Sequence, residues 1–163
     1  MSAESNIDQV QSPLMRRHGE GQALWWFNSL TLVKASSRET GGLLTVLEVT
    51  EPPGEETPLH VHDREDESFF ILEGSASFVI GDLTVEAGVG DFLYGPRGIP
   101  HRYTVGADGC RMLFILTPGG FDEMVAGMSQ PAEQLTLPPP SDEEPDWEQI
   151  ASLAEEYGNK VLE

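Results

Sequence analysis

Apolar residues occur along this chain in short runs, each closed by glycine or proline, and most runs have the length of a β-strand. Residues 23–27 and 29–35 are rich in aromatic and aliphatic side chains and predict the first strands. If Trp25 and Phe27 face inward, Trp26 faces out and needs cover from another element or another subunit. Residues 43–50 (LLTVLEVT) follow a Gly41-Gly42 turn signal and stop at Pro52-Pro53-Gly54. Further runs at 67–72, 75–80, 83–86, 91–94, 101–105 and 110–117 alternate with Gly81-Asp82, Ala87-Gly88, Gly95-Pro96-Arg97-Gly98 and Gly106-Ala107-Asp108-Gly109. Eight or more short strands of this kind predict an all-β antiparallel sandwich or barrel over residues 23–117.

The pattern changes after Pro118-Gly119-Gly120. Residues 121–128 place Phe121, Met124, Val125 and Met128 on one helical face. Residues 131–145 hold five prolines and several acids, so they read as an extended linker. A last helix over 146–157 gathers Trp147, Ile150, Ala151, Ala154 and Tyr157 on one face, with Leu153 at its edge and Gly158 as its end. Residues 118–163 therefore form a helix, a proline-rich linker and a C-terminal helix that pack on the barrel. Residues 1–22 are polar, lack periodicity and read as a flexible arm, with His18 a surface residue.

At 163 residues the chain is about one domain, long enough for its own core. No apolar run approaches the roughly 20 residues needed to cross a bilayer, and the first 22 lack the apolar middle of a signal peptide, so a cytoplasmic protein is expected. The single cysteine, Cys110, cannot form an internal disulfide and reads as a core residue. Nine Lys and Arg against 28 Asp and Glu give a net charge of −19, which repels nucleic acid and anionic membranes alike. The acidic excess, concentrated at 51–67 and 142–156, reads mostly as solvated surface, and Glu67 alone has a positional reason for chemistry.

That reason lies in residues 54–74, GEETPLHVHDREDESFFILEG. In an extended strand, side chains two apart share a face, so His60 and His62 can present two imidazoles to one point. If 63–66 form a turn, Glu67 returns from a neighbouring strand as a third ligand, an oxygen beside two nitrogens. His101, in GDFLYGPRGIPHRYTV, completes a four-ligand set; three of the chain's four histidines sit in these two stretches. Glu67 inward also fixes parity: Phe69 and Ile71 point inward, Phe70 and Leu72 outward. The outward pair suggests a second layer or a subunit contact, and a homodimer built on this face is expected. By the parity of His101, Tyr103 and Val105 point inward too. Phe69, Ile71, Tyr103 and Val105 then either line a substrate pocket or fill a small barrel.

These residues resemble the two motifs of the cupin family. The first matches as Gly54, His60, His62, Glu67 and Gly74, the second as Gly90, Pro96, Gly98 and His101. The second departs at Val105, where the family has Asn, a residue that is not a ligand. With its Pro-Gly-Gly turn, Phe-bearing helix, proline-rich segment and final helix, the chain is similar to bacterial single-domain cupins that resemble quercetin 2,3-dioxygenase. The resemblance implies a double-stranded β-helix, or jelly-roll barrel. It also implies one divalent transition metal per chain (Fe, Ni, Mn, Co or Zn) on His60, His62, Glu67 and His101. The implied activity is a dioxygenase in which a flavonol or similar enol gives its proton to Glu67 as general base and is cleaved with oxygen. A shared fold does not fix a reaction. A non-oxidative isomerase or cyclase, and a small-molecule binding or sensor protein, remain as readings from other classes.

Overall fold

A computed structural model describes residues 11–163, so the first ten residues of the expected N-terminal arm lie outside it. The two aromatic runs form a hairpin, β1 (Gln22–Trp26) and β2 (Ser29–Ala35), and β3 (Thr45–Glu51) pairs with β2. Trp26 pairs with Ser29, so Phe27 and Asn28 are the turn, and Phe27 takes a positive φ of 53°. This reverses the parity considered for the aromatic trio. Leu24 and Trp26 face the core, where Trp26 meets Phe114 and Phe121 edge-on, whereas the Trp25 indole N–H reaches out to the Thr136 carbonyl at 2.9 Å. Phe27 stacks on Trp147.

The turn signal at Gly106-Ala107-Asp108-Gly109 and the break between the runs at 67–72 and 75–80 both lie inside long strands instead. The runs at 67–72 and 75–80 are one strand, β5 (Asp66–Ile80), and those at 101–105 and 110–117 are one strand, β8 (His101–Thr117). Gly74 explains the first merger: its φ is +73°, and a Cβ there would collide with the Gly109 carbonyl where the two strands bend past each other. The ladder shifts register beside it, between Gly74 and Ala76. β6 (Leu83–Gly88) and β7 (Phe92–Gly95) complete the β5 side of the barrel.

The strands close into the expected antiparallel jelly-roll barrel. Its interior is filled by Leu47, Val49, Phe69, Ile71, Phe78, Tyr103, Met112, Phe114 and Leu116, all at most 3% exposed. Phe69 is central, with ring centroids 4.9 Å from Phe78, 5.3 Å from Phe114 and 6.1 Å from Tyr103. Phe70 and Leu72 are half-buried on the outer face, and Phe70 lies across from the exposed Phe92 of β7.

The acidic stretch is less uniformly solvated than its composition suggests. Glu51 and Glu65 are both buried. Glu51 accepts a hydrogen bond from the Tyr103 hydroxyl at 2.9 Å, and its second oxygen has no partner.

The helices α1 (Phe121–Gly127) and α2 (Trp147–Glu156) form where the pattern placed them. Asp122 anchors α1: its buried carboxylate accepts from the Ser37 amide and hydroxyl and from Thr45 Oγ1. Asp146 caps α2 by accepting from the Gln149 amide. α2 lies shallowly on the barrel through Leu153, Ala154 and Tyr157, with Ala151 exposed, so its packed face is turned towards what had read as an edge. Two short strands carry no apolar signature: β9 (Gln130–Pro131) extends β1, and β10 (Asn159–Val161) follows Gly158. No helix among the described residues is long and apolar enough to cross a membrane.

Candidate metal centre

His60 and His62 lie on the three-residue strand β4 (His60–His62). On one side β4 meets β8 through the single pair His60 with His101. On the other side β10 pairs with all three of its residues, Asn159 with His62, Lys160 with Val61 and Val161 with His60. The chain then turns through Asp63, Arg64 and Glu65 into β5, whose second residue is Glu67. Glu67 does not come from a hydrogen-bonded neighbour of β4, because β5 pairs with β6, β7 and β8. It reaches the same point from another wall of the barrel. The Asp66 carboxylate accepts from the backbone and guanidinium of Arg97, which ties the start of β5 to the turn before His101.

The four side chains converge. One potential ligand atom from each of His60, His62, Glu67 and His101 lies within 4.8 Å of the other three. Three of the residues are buried and His60 is half-buried. One oxygen of Glu67 is 2.9 Å from Nε2 of His62 and also 2.9 Å from Nε2 of His101. The His101 contact is aligned as a hydrogen bond, whereas the His62 contact is not, and His62 Nε2 remains a buried nitrogen without a partner.

The opposite ring nitrogens are all engaged. Nδ1 of His60 is 2.8 Å from the Pro58 carbonyl, Nδ1 of His101 is 3.3 Å from that of Ile99, and Nδ1 of His62 is 2.8 Å from Glu65 Oε1. Carbonyl and carboxylate oxygens only accept, so each Nδ1 carries a proton and Nε2 is the nitrogen each ring has for a metal; on His101 that nitrogen also donates to Glu67, a proton that a bound cation would displace. Three imidazole nitrogens and one carboxylate oxygen suit a divalent first-row metal, and the orphaned His62 nitrogen is what an ion there would satisfy.

Burial and mutual charge shift the protonation of these side chains in opposite directions. Burial alone would raise Glu67, but the charge of the adjoining His62 and the hydrogen bond from His101 hold it well below the ordinary carboxylate range. Burial works against charge on His62, yet Glu67 and Glu65 push it up to about 9. Burial and the neighbouring His101 pull His60 down to about 4. A bound cation would take over the role of the His62 proton, so binding releases that proton.

Phe69, Ile71, Tyr103 and Val105 all lie inside the barrel with the cluster. Phe69 approaches it directly, its ring 5.9 Å from that of His101. From the helical side Phe121 lies 5.4 Å from the His62 ring. Glu65 did not stand out in the sequence, and Phe121 read only as part of an apolar helical face. Glu65 sits in an acidic run like any solvated glutamate, and Phe121 depends on where Asp122 pins its helix.

Residues 47–116 match the family model of the cupin domain. Over 149 residues the sequence is 25% identical to quercetin 2,3-dioxygenase from Bacillus subtilis (strain 168), an alignment that takes in 91% of this chain. The chain spans 44% of the length of that relative. Among solved structures, oxalate decarboxylase from Bacillus subtilis, a protein with Mn(II) centres, superposes with a TM-score of 0.59 at 24% identity, over 74% of this chain and 33% of the other. The polyketide cyclase RemF from Streptomyces resistomycificus gives 0.52 at 24% identity, over 66% of this chain and 80% of that one. Both structural likenesses are likenesses of fold.

Proposed function

Since this barrel is a cupin domain resembling that of quercetin 2,3-dioxygenase, we propose that it holds one divalent transition metal on His60, His62, Glu67 and His101 and acts as a dioxygenase on a flavonol or another enolic small molecule. The observation that carries the proposal is the orientation of the histidines: each has its Nδ1 proton committed to an acceptor and its Nε2 turned to the centre that Glu67 also faces. Such a metal supplies Lewis acidity towards substrate oxygen and, when redox-active, reactivity with dioxygen.

The protein's own groups do the rest. Glu67 is held ionised and accepts the enol proton. Phe69 and Phe121 present aromatic surface beside the centre, which excludes water and suits a flat, partly aromatic substrate. The half-buried Phe70 and Leu72 with the exposed Phe92 offer an apolar strip for a second copy of the chain, so the working unit is a homodimer.

The test is metal analysis of the purified protein after loading with Fe(II), Ni(II), Mn(II), Co(II) or Zn(II). Oxygen uptake is then followed with flavonols, enols and diketones, and the mass is measured by sedimentation. One metal per chain, oxygen consumption with a redox-capable metal and a dimer are expected. Failure to retain any of these ions removes the metal assignment, and a monomer at micromolar concentration removes the dimer. Turnover without oxygen consumption transfers the site to the isomerase or cyclase class.

A further inference from the structure

Glu65 is 4% exposed, and a carboxylate is seldom buried so fully unless it is paired. Its partner is Nδ1 of His62, at 2.8 Å. The other two imidazoles rest on neutral carbonyls, of Pro58 and Ile99. One histidine of the three is thus backed by a negative charge. Building on the metal assignment proposed above, we infer that Glu65 is a positioning residue for the metal: it fixes the His62 tautomer, aims Nε2 at the centre and raises the donor strength of that nitrogen.

The charges support the same role. With neutral imidazoles, Glu65 and Glu67 carry two negative charges in a buried site, and one divalent cation brings the sum to zero. Without Glu65 the loaded site keeps an uncompensated positive charge away from water, which is costly. The carboxylate also closes the three-residue turn between the strands bearing His62 and Glu67, so its position links two walls of the centre.

Glu65→Gln retains an oxygen that can accept from Nδ1 but removes the charge; Glu65→Ala removes both. Zinc affinity is measured by chelator competition on the full chain, and ¹⁵N chemical shifts of the imidazoles are recorded on the zinc-loaded protein. We expect Glu65→Ala to bind zinc about 10- to 100-fold more weakly and to lose the fixed Nδ1–H form of His62. Glu65→Gln should keep that form and lie between the two in affinity. If the parent binds zinc and both variants bind it equally tightly, Glu65 has no such role. If the parent itself binds no zinc, the metal assignment fails first and takes this role with it. Should Glu65→Ala not fold, the near-isosteric Glu65→Gln decides, parental affinity overturning the charge argument.

Discussion

Turnover of an enolic substrate should fall by about 100- to 10,000-fold when Glu67 is replaced by Gln, while most of the metal stays bound. Gln keeps the shape and one oxygen donor, and three imidazole nitrogens still face the centre. What it lacks is the negative charge that His62 and His101 hold on Glu67, and with it the lone pair that accepts the substrate proton. His62→Ala provides the contrast. It deletes a nitrogen ligand and leaves Glu65 buried without its partner, so metal content and activity should fall together. Equal rates for parent and Glu67→Gln at equal metal occupancy would show that Glu67 is a ligand without a role as base.

The second large effect concerns pH and lies elsewhere in the barrel. Burial raises Glu51 from 4.5 to about 7, against the opposing hydrogen bond from Tyr103. A carboxyl raised on folding favours the native state fully below its unfolded value, and that contribution is lost as pH rises through the folded value. For Glu51 the window runs from 4.5 to about 7, and the loss amounts to about 3 kcal/mol at most. Glu51→Gln removes the titration but keeps an acceptor for Tyr103. Denaturant unfolding of both proteins at pH 4 and pH 8 is the check. The difference in stability should move in favour of Glu51→Gln by up to about 3 kcal/mol between the two pH values, because the other titrating groups cancel in the comparison. Parallel pH profiles would show that Glu51 titrates normally.

Much of the fold was legible because the strand period of two is a strict rule once one residue is fixed. With Glu67 inward, Phe69 and Ile71 had to lie in the core, and both are at most 1% exposed. The convergence of His60, His62, Glu67 and His101 was legible for the same reason, as two short motifs with rigid spacing. Glycine was more ambiguous: the residue type that makes a turn also lets two strands pass closely, and Gly74 facing Gly109 is the second case. Charge was ambiguous as well. Glu51 and Glu65 belong to a run of acids that composition assigns to solvent, and only the three-dimensional neighbours Tyr103 and His62 reveal them as interior groups. β10 was invisible because three residues, Asn159–Val161, carry no alternation that could be read.

That short strand makes the histidine strand depend on a contact distant in sequence. β4 bears two of the four converging side chains, yet its main hydrogen-bonded neighbour lies roughly a hundred residues further along the chain, a loop whose closure is entropically expensive. Gly158 makes the return: at φ +79° it ends α2, sends its carbonyl to the Asp63 amide at 2.8 Å and leaves room for Arg64, which a Cβ would displace. The histidine strand is therefore clamped by a distant, non-local contact that local barrel formation does not provide. For a contact of this range, the entropy of closing the loop must be met before the contact stabilises anything. Because linkage is reciprocal, whatever free energy a ligand gives to the ordering of β4 is also felt by residues 159–161.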